Sequence, residues 1–472
     1  MGHSAPDIVL VMTDQQRHDQ VGWAPGSPVR TPTLDALATS GVIFDACYSG
    51  STTCVPARTA LLTGRLDHRV DTGPNRAIRP GTPTVATMLG DAGYQTALVG
   101  KMHFTPMRTG HGFDHIEVAE HFTAYPGDPA GWDTYDHYHD WLAEQGLADW
   151  RFEVAGGTAA PYPFPTETHP TSWVRDRAIE VLTRRDPNRP LFLVVSFPGP
   201  HPPLNPPEPW ASMYDPADSV VDPDDDRRNF GLPNLFRREM EADGPDHRRV
   251  RAERIGHHRR ELALTYGSIT QIDEAVAAVT DRIDLDRTLL WFTVDHGDYG
   301  GRRGLVRKVP WIPFDDLARV PCFATGAYVA GGRRITEPVQ SYDFVPTALT
   351  AAGLTLPYLD PDPGDGVDLS GLLADSVAPG DPDRIVLSAF TMHWPMARRG
   401  PYKYIRELGW SEEVLFDLNT DPGETTNLID SPEHADIRAD LAAAVDEELA
   451  RSTIRADLDA ALAAAMRAPN QG

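Results

Sequence analysis

Residues 54–65 read Cys54-Val-Pro56-Ala-Arg58-Thr-Ala-Leu-Leu-Thr63-Gly64-Arg65. The cysteine stands two residues before a proline and four before an arginine, and Leu-Thr-Gly-Arg closes the stretch. As local structure this is a helix N-terminus with Pro56 in the first turn, where a missing N–H is tolerated. A small, half-buried cysteine is ordinary at such a place. Helix geometry alone therefore leaves the role of Cys54 open, and the flanking chain has to say what the helix belongs to.

Upstream, Ile8-Val9-Leu10-Val11-Met12 is a continuous apolar run, the pattern of a strand buried on both faces. It ends at Thr13-Asp14-Gln15-Gln16, polar groups at a carboxyl end, where α/β sheets bind ligands. Thr31 to Ala38 reads as a capped helix with Pro32 in its first turn. Gly41 to Tyr48 reads as one strand leading into the Cys54 helix. Thr84 to Gly93 is a helix closed by glycine, followed by a strand from Gln95 to Val99 that exits at Gly100-Lys101-Met102-His103. Further on, the spacing predicts a helix over Ser172–Arg184, a strand over Leu191–Phe197 running into a Pro-rich turn with His201, and a helix over 261–282. A strand over Thr288–Val294 ends at Asp295-His296-Gly297-Asp298. Strand and helix alternate, which implies an α/β fold on a parallel or mixed sheet.

Two stretches break the rhythm. Residues 105–170 are aromatic, His-rich and broken by Pro and Gly, as expected of loops lining a pocket. Residues 215–260 are charged, including Asp222-Pro-Asp-Asp-Asp226, and read as a solvated excursion. Beyond residue 365 the character changes to short strand candidates (Ile385–Phe390, Tyr402–Ile405, Val414–Asp417) and Ala-rich helices. This divides the chain into a catalytic domain, 1–365, and a smaller C-terminal α+β domain, 366–472.

A chain of 472 residues can bury a large core. Its net charge of −25 argues against nucleic acid or an anionic membrane as partner, so any anion site must be local and basic. Three cysteines (Cys47, Cys54, Cys322) make no disulfide framework. The N-terminus has no basic segment followed by an apolar one, and no run approaches the ~18 apolar residues of a membrane span. A soluble cytoplasmic protein is the expectation, with a homo-oligomer left open.

Polar residues gather at five predicted element ends: Asp14 and Gln15; Cys54 and Arg58; Lys101 and His103; His201; Asp295 and His296, with Lys308 beyond. Singly, each has a dull explanation as cap, loop residue or solvated lysine. Jointly they describe a site assembled from distant sequence at the ends of sheet strands.

These segments together resemble the formylglycine-dependent type I sulfatases of the alkaline phosphatase superfamily, nearest the choline-sulfatase-like branch. The resemblance rests on the Cys54–Arg65 motif, the Asp7–Asp14 opening, Gly93-Tyr-Gln-Thr-Ala-Leu-Val-Gly-Lys101-Met-His103, Asp295-His296-Gly297 with Lys308, and Leu415 to Leu428. It implies a large mixed-sheet sandwich domain with a smaller domain carrying a short antiparallel sheet. It implies that Cys54 becomes Cα-formylglycine through a separate maturation enzyme, and that one hydroxyl of the hydrated aldehyde attacks sulfur while the other expels sulfate. Asp14, Gln15, Asp295 and His296 are implied ligands of one divalent ion, calcium first, with manganese or magnesium as alternatives. The family often has Asp at the position of Gln15 and Asn at that of His296, which keeps metal identity open.

By the same resemblance Arg58 stabilises the hydrated aldehyde, Lys101 and Lys308 neutralise sulfate oxygens, His201 protonates the leaving alkoxide and His103 helps collapse the intermediate. Asn75, Trp132, Tyr135 and His393 are expected around the leaving group of a small-molecule sulfate ester, the aromatics (with Tyr138) facing a quaternary ammonium through cation–π contact or simply packing a loop. Two alternatives stand beside a sulfuric ester hydrolase: a phosphonate monoester or phosphodiester hydrolase on the same site, and a silent anion binder in which Cys54 stays a thiol. A phosphoryl transferase using Thr52 or Thr53 leaves the spacing of Pro56 and Arg58 unexplained.

Overall fold

The computed structural model describes residues 5–70, 78, 81–104, 107–120, 136–147, 159–221, 232–233, 250, 254–354, 366–375, 381, 383–408 and 412–452. Among the described residues, fifteen strands follow in chain order. They are β1 (Asp7–Thr13), β2 (Val42–Phe44), β3 (Cys47–Tyr48), β4 (Gln95–Gly100), β5 (His115–Val118), β6 (Leu191–Ser196), β7 (Thr288–Val294) and β8 (Arg319–Val320). Then come β9 (Phe323–Gly326), β10 (Arg333–Ile335), β11 (Val339–Gln340), β12 (Ile385–Ser388), β13 (Met396–Arg399), β14 (Tyr402–Arg406) and β15 (Glu413–Asp417). The helices used below are α1 (Pro32–Ser40), α2 (Cys54–Thr63), α3 (Val85–Asp91), α4 (His137–Glu144), α5 (Pro170–Arg184), α6 (Ile255–Thr280), α7 (Asp315–Ala318), α8 (Phe344–Ala351) and α9 (Ala435–Ala450).

The large sheet has eight strands in the order β10-β2-β9-β7-β1-β6-β4-β5. Strands β7, β1, β6 and β4 are adjacent and parallel, with Val11 opposite Phe292 on one side and Val195 on the other. Only β9 runs antiparallel to its neighbours. The apolar runs in β1, β6 and β7 are buried along their length, because α1, α5 and α6 form one packed group of helices and α2, α3 and α8 another. Parallel strands covered on both faces need no polar alternation. Trp291 marks the centre: fully buried, it stacks on Phe44 at 5.4 Å, and truncating it costs ~3–5 kcal/mol on general grounds. Among the described residues no helix is long and apolar enough to cross a membrane.

Several elements differ from the sequence reading. Gly41–Tyr48 is two strands: β2 belongs to the large sheet, whereas β3 lies in a second sheet, β11-β3-β8. The break falls at Asp45, half-buried beside Arg334, whose Nε donates to its carboxylate at 3.1 Å. Helix α6 starts at Ile255, before the apolar repeat does, because its first turn is held by a buried polar pair, His258 Nδ1 to Glu261 at 2.9 Å. The stretch read as loop contains α4, capped by Asp136, which accepts from His139 N at 2.8 Å. Tyr138 on that helix is a packing residue, edge-on to Trp173 with its hydroxyl donating to the Thr168 carbonyl at 2.7 Å.

The C-terminal sheet is antiparallel throughout, β12-β13-β14-β15. One face, with Met396, Ile405, Val414 and Phe416, packs on Tyr48, Phe314 and Leu317 of the large unit. The other, with Ala397, Tyr404 and Leu415, packs on Leu441 and Val445 of α9. Residues 366–375 turn the other way: Leu369, Leu372 and Leu373 join the core of the large sheet.

Candidate active site

The carboxyl ends of β1, β4, β6 and β7 lie side by side, and the backbone ties them together. Asp14 N donates to the Gly199 carbonyl (3.1 Å), Gln16 N to that of His296 (3.0 Å) and Lys101 N to that of Ser196 (2.8 Å). Into this edge α2 projects its first turn. Asp14, Arg58, Lys101, Asp295 and His296 are buried there with Cys54, while Lys308 arrives from the loop after β7.

Cys54 Sγ is 3.0 Å from His296 Nε2, 3.0 Å from Lys308 Nζ and 3.7 Å from Asp14 Oδ1. His296 Nδ1 donates to the Gly297 carbonyl at 2.9 Å, which turns Nε2 toward the thiol. Arg58 spans the two carboxylates: Nε donates to Asp295 Oδ2 (2.9 Å) and Nη2 to Asp14 Oδ2 (3.1 Å), while Nη1 reaches the Lys101 carbonyl and Ser196 Oγ. Lys101 Nζ also meets Asp14 Oδ2, at 2.5 Å. The outer oxygen of each carboxylate is thus held by cations. Asp295 Oδ1 accepts from the backbone N–H groups of Gln15 (3.0 Å) and His296 (2.8 Å), and Ser49 Oγ donates to the Asp295 carbonyl.

Electrostatics follow from this packing. Burial opposes the charge of Asp14, but Lys101 above all, then His201, Arg58 and Lys308, hold its carboxyl well below the usual range. Burial and Asp14 push the Cys54 thiol up, yet Lys308, Lys101 and His296 outweigh them, leaving it below an ordinary thiol. Burial pulls His296 down, and Asp295 reverses that and raises it. His103 and His201 are held well below an ordinary histidine, first by burial and then by Lys101. His201 Nδ1 donates to the Pro202 carbonyl at 2.8 Å, which leaves Nε2 as its titrating atom.

One donor atom each from Asp14, Cys54, Asp295 and His296 lies within 4.8 Å of the others, all buried. Two carboxylates and an imidazole nitrogen beside a cysteine sulfur make a donor set that suits a divalent ion. Of the remaining candidates, Gln15 has φ 59° and its Nε2 donates to Asp298 Oδ2 at 2.6 Å. His393 lies between β12 and β13, on the C-terminal sheet, its carbonyl accepting from Leu408 N. Asn75, Trp132 and Tyr135 lie outside the described residues.

Sequence reasoning missed Ser196, Asp298 and Glu120. Ser196 is the last residue of β6, a polar ending that invited inspection, and Asp298 follows the Asp-His-Gly turn directly. Glu120 carried no local signal. Buried, it accepts from the N–H groups of Met102 (3.0 Å) and His103 (2.7 Å), fixing the turn in which His103 has φ 67°. Burial pushes its carboxyl up to about 6 against the pull of Lys101.

The eight-stranded sheet with its C-terminal antiparallel sheet is an arrangement shared with solved hydrolase structures. The solved phosphonate monoester hydrolase of Agrobacterium radiobacter superposes with a TM-score of 0.73 over 96% of each chain, at 22% identity. Residues 6–354 match the sulfatase family. The arylsulfatase of Clostridium perfringens is 30% identical, covering 91% of both chains. The choline-sulfatase of Rhizobium meliloti is 30% identical over 90% of this chain and 83% of its own. The chain belongs to the sulfatase family, the sulfuric ester hydrolases.

Proposed function

We propose that this chain releases inorganic sulfate from a small organic sulfate monoester, with Cys54, once converted to Cα-formylglycine, as the nucleophilic residue. The observation that carries the reading is the position of Cys54: its side chain ends between Lys308 and His296 at 3.0 Å from each, beside Asp14. One hydroxyl of the hydrated aldehyde would attack sulfur as the ester alkoxide leaves; the other, on losing its proton, would expel sulfate by C–O cleavage and regenerate the aldehyde. Asp14, Asp295 and His296, with Gln15 beside them, would hold a divalent ion, calcium foremost, that polarises the sulfate.

The remaining residues divide the charge between them. Arg58 aims the carboxylates of Asp14 and Asp295, beside the residue at 54. Lys308 and Lys101 meet charge developing on the sulfate oxygens, where fixed cations in a dry site lower a barrier most. His201 serves as proton donor to the leaving oxygen. An anionic ester would add negative charge beside Nε2 and favour a proton there. His103 shares this environment and assists release of sulfate. Asn75, Trp132, Tyr135 and His393 are proposed contacts of the leaving group on resemblance alone, and choline sulfate heads the substrates to screen.

Thr52 is a poor nucleophile here, because its hydroxyl donates to the Trp311 carbonyl at 2.8 Å. The test is peptide mass spectrometry across Cys54, with turnover of an aryl sulfate and an aryl phosphonate by the same sample. Formylglycine with faster sulfate turnover supports the reading. Formylglycine with faster phosphonate turnover replaces it by a phosphonate hydrolase, and an unmodified thiol without turnover, after coexpression with the maturation enzyme, replaces it by a silent anion binder.

A further inference from the structure

Lys308 sits on the segment between Arg303 and Asp315, and both ends of that segment are gripped by one carboxylate oxygen. Glu424 Oε2 accepts from Arg303 Nη2 at 2.9 Å and from the backbone N–H of Asp315 at 2.8 Å. Its other oxygen, Oε1, is 2.7 Å from Lys403 Nζ of β14, and the same ammonium reaches Asp315 Oδ1 at 2.8 Å. Glu424 and Lys403 are fully buried. Arg303 completes the junction, with Nε donating to Asp316 Oδ2 at 2.7 Å, Nη2 to the Gly423 carbonyl at 2.9 Å and its guanidinium 3.9 Å over the Phe314 ring.

The backbone bears the mark of these contacts. Glu424 (φ 52°) and Arg303 (φ 55°) both adopt the left-handed conformation, as does Arg307 (φ 65°), the residue before Lys308. Side chains of this size rarely occupy that region unless the surroundings fix them. A buried charge with its full set of partners is geometrically exacting, since any displacement leaves ions unpaired in a dry place. Between the two grips the segment is held by residues outside it: Tyr299 donates to the Pro310 carbonyl at 2.7 Å and Thr52 to that of Trp311 at 2.8 Å. Lys308 Nζ emerges from this turn at Cys54 Sγ.

We propose that Glu424 is a positioning residue for Lys308. From the C-terminal segment it closes the base of the lysine-bearing loop and thereby sets where the ammonium meets the sulfate. This rests on the reading that Lys308 acts on the bound ester. It gives the Asp421-Pro-Gly-Glu424 turn, conspicuous in the sequence and remote from the strand ends, a part in the reaction.

A carboxylate that merely joined the two units would show the same contacts, so the test is a double-mutant cycle on the matured, metal-loaded enzyme with nitrophenyl sulfate. Glu424→Gln keeps an oxygen for Asp315 N and removes the charge. It is expected to lower kcat by about tenfold with KM changed by less than about threefold. In a Lys308→Ala background the same substitution is expected to cost less than about twofold.

An equal loss in both backgrounds overturns the proposal and leaves the role of Lys308 standing. Full turnover by Lys308→Ala alone overturns both. Circular dichroism and a thermal melt establish folding. If Glu424→Gln does not fold, Arg303→Lys enters the same cycle with the same expectations, since it keeps the cation and loses the fork that grips Glu424 and Asp316.

Discussion

Arg58 and Asp295 meet at 2.9 Å with both side chains sealed from solvent, and the guanidinium extends from there to Asp14 at 3.1 Å. Each charge is solvated by the other. Replacing Asp295 with Ala leaves Arg58 half unpaired in a dry site, a change worth ~3–5 kcal/mol on general grounds. Asp295→Ala is expected to unfold at markedly lower urea than wild type and to show no calcium binding by calorimetry. Asp295→Asn, which keeps an acceptor for Arg58, is expected to lose the ion and retain more of the stability. Equal stability of all three proteins would refute the pairing.

Gln15 reaches Asp298 through an amide N–H at 2.6 Å. Glu at this position sets carboxylate against carboxylate. Gln15→Glu is expected to destabilise by about 1–3 kcal/mol near neutrality, and less at acid pH, where the pair shares a proton. Urea titrations of both proteins at neutral and acid pH measure the difference, and a penalty that grows on acidification would contradict the contact.

If His201 is the proton donor proposed above, its importance scales with how badly the leaving group needs a proton. His201→Asn is expected to lower kcat for an alkyl sulfate by about 100-fold or more, the scale of general acid catalysis. For nitrophenyl sulfate, whose leaving oxygen departs unprotonated, the loss is expected to be much smaller. Equal losses across a leaving-group series would remove His201 from the proton-donor role.

His169 gives the fold an acid-sensitive element away from the site. Its Nδ1 accepts from Thr171 N (3.2 Å) at the start of α5 and from Gln271 (3.2 Å), and burial pushes the imidazole down to about 3. The folded chain keeps it neutral while an unfolded chain protonates it near pH 6.5. Its stabilisation is therefore complete above that pH and declines as pH falls toward 3, at about 1.4 kcal/mol per unit. His169→Asn, which preserves a helix cap, is expected to flatten this limb in urea midpoints measured across the range. An unchanged slope would show that other groups govern it.

The strand ends were legible because their chemistry is local. Apolar runs stop at Asp14, Lys101 and Asp295, and parallel pairing brings those stops together. What pairs with what was not legible. The hydrogen bonds of Arg58 reach Asp14, Lys101, Ser196 and Asp295, contacts that only the closed sheet creates. Strand β13 escaped notice because Arg398 and Arg399 end its apolar pattern, although Arg398 lies over the Tyr48 ring at 5.0 Å and Arg399 pairs with Asp440. Polar side chains on a two-sided sheet look like surface until their partners are known.

Cys54 is only 4% exposed, and the residues that cover it come from positions 14, 296 and 308, the last of them more than 250 residues along the chain. Under the proposed conversion of Cys54, the maturation enzyme would need the thiol before these residues close over it. Modification would then compete with folding, and a chain that closed first would keep an unconverted thiol.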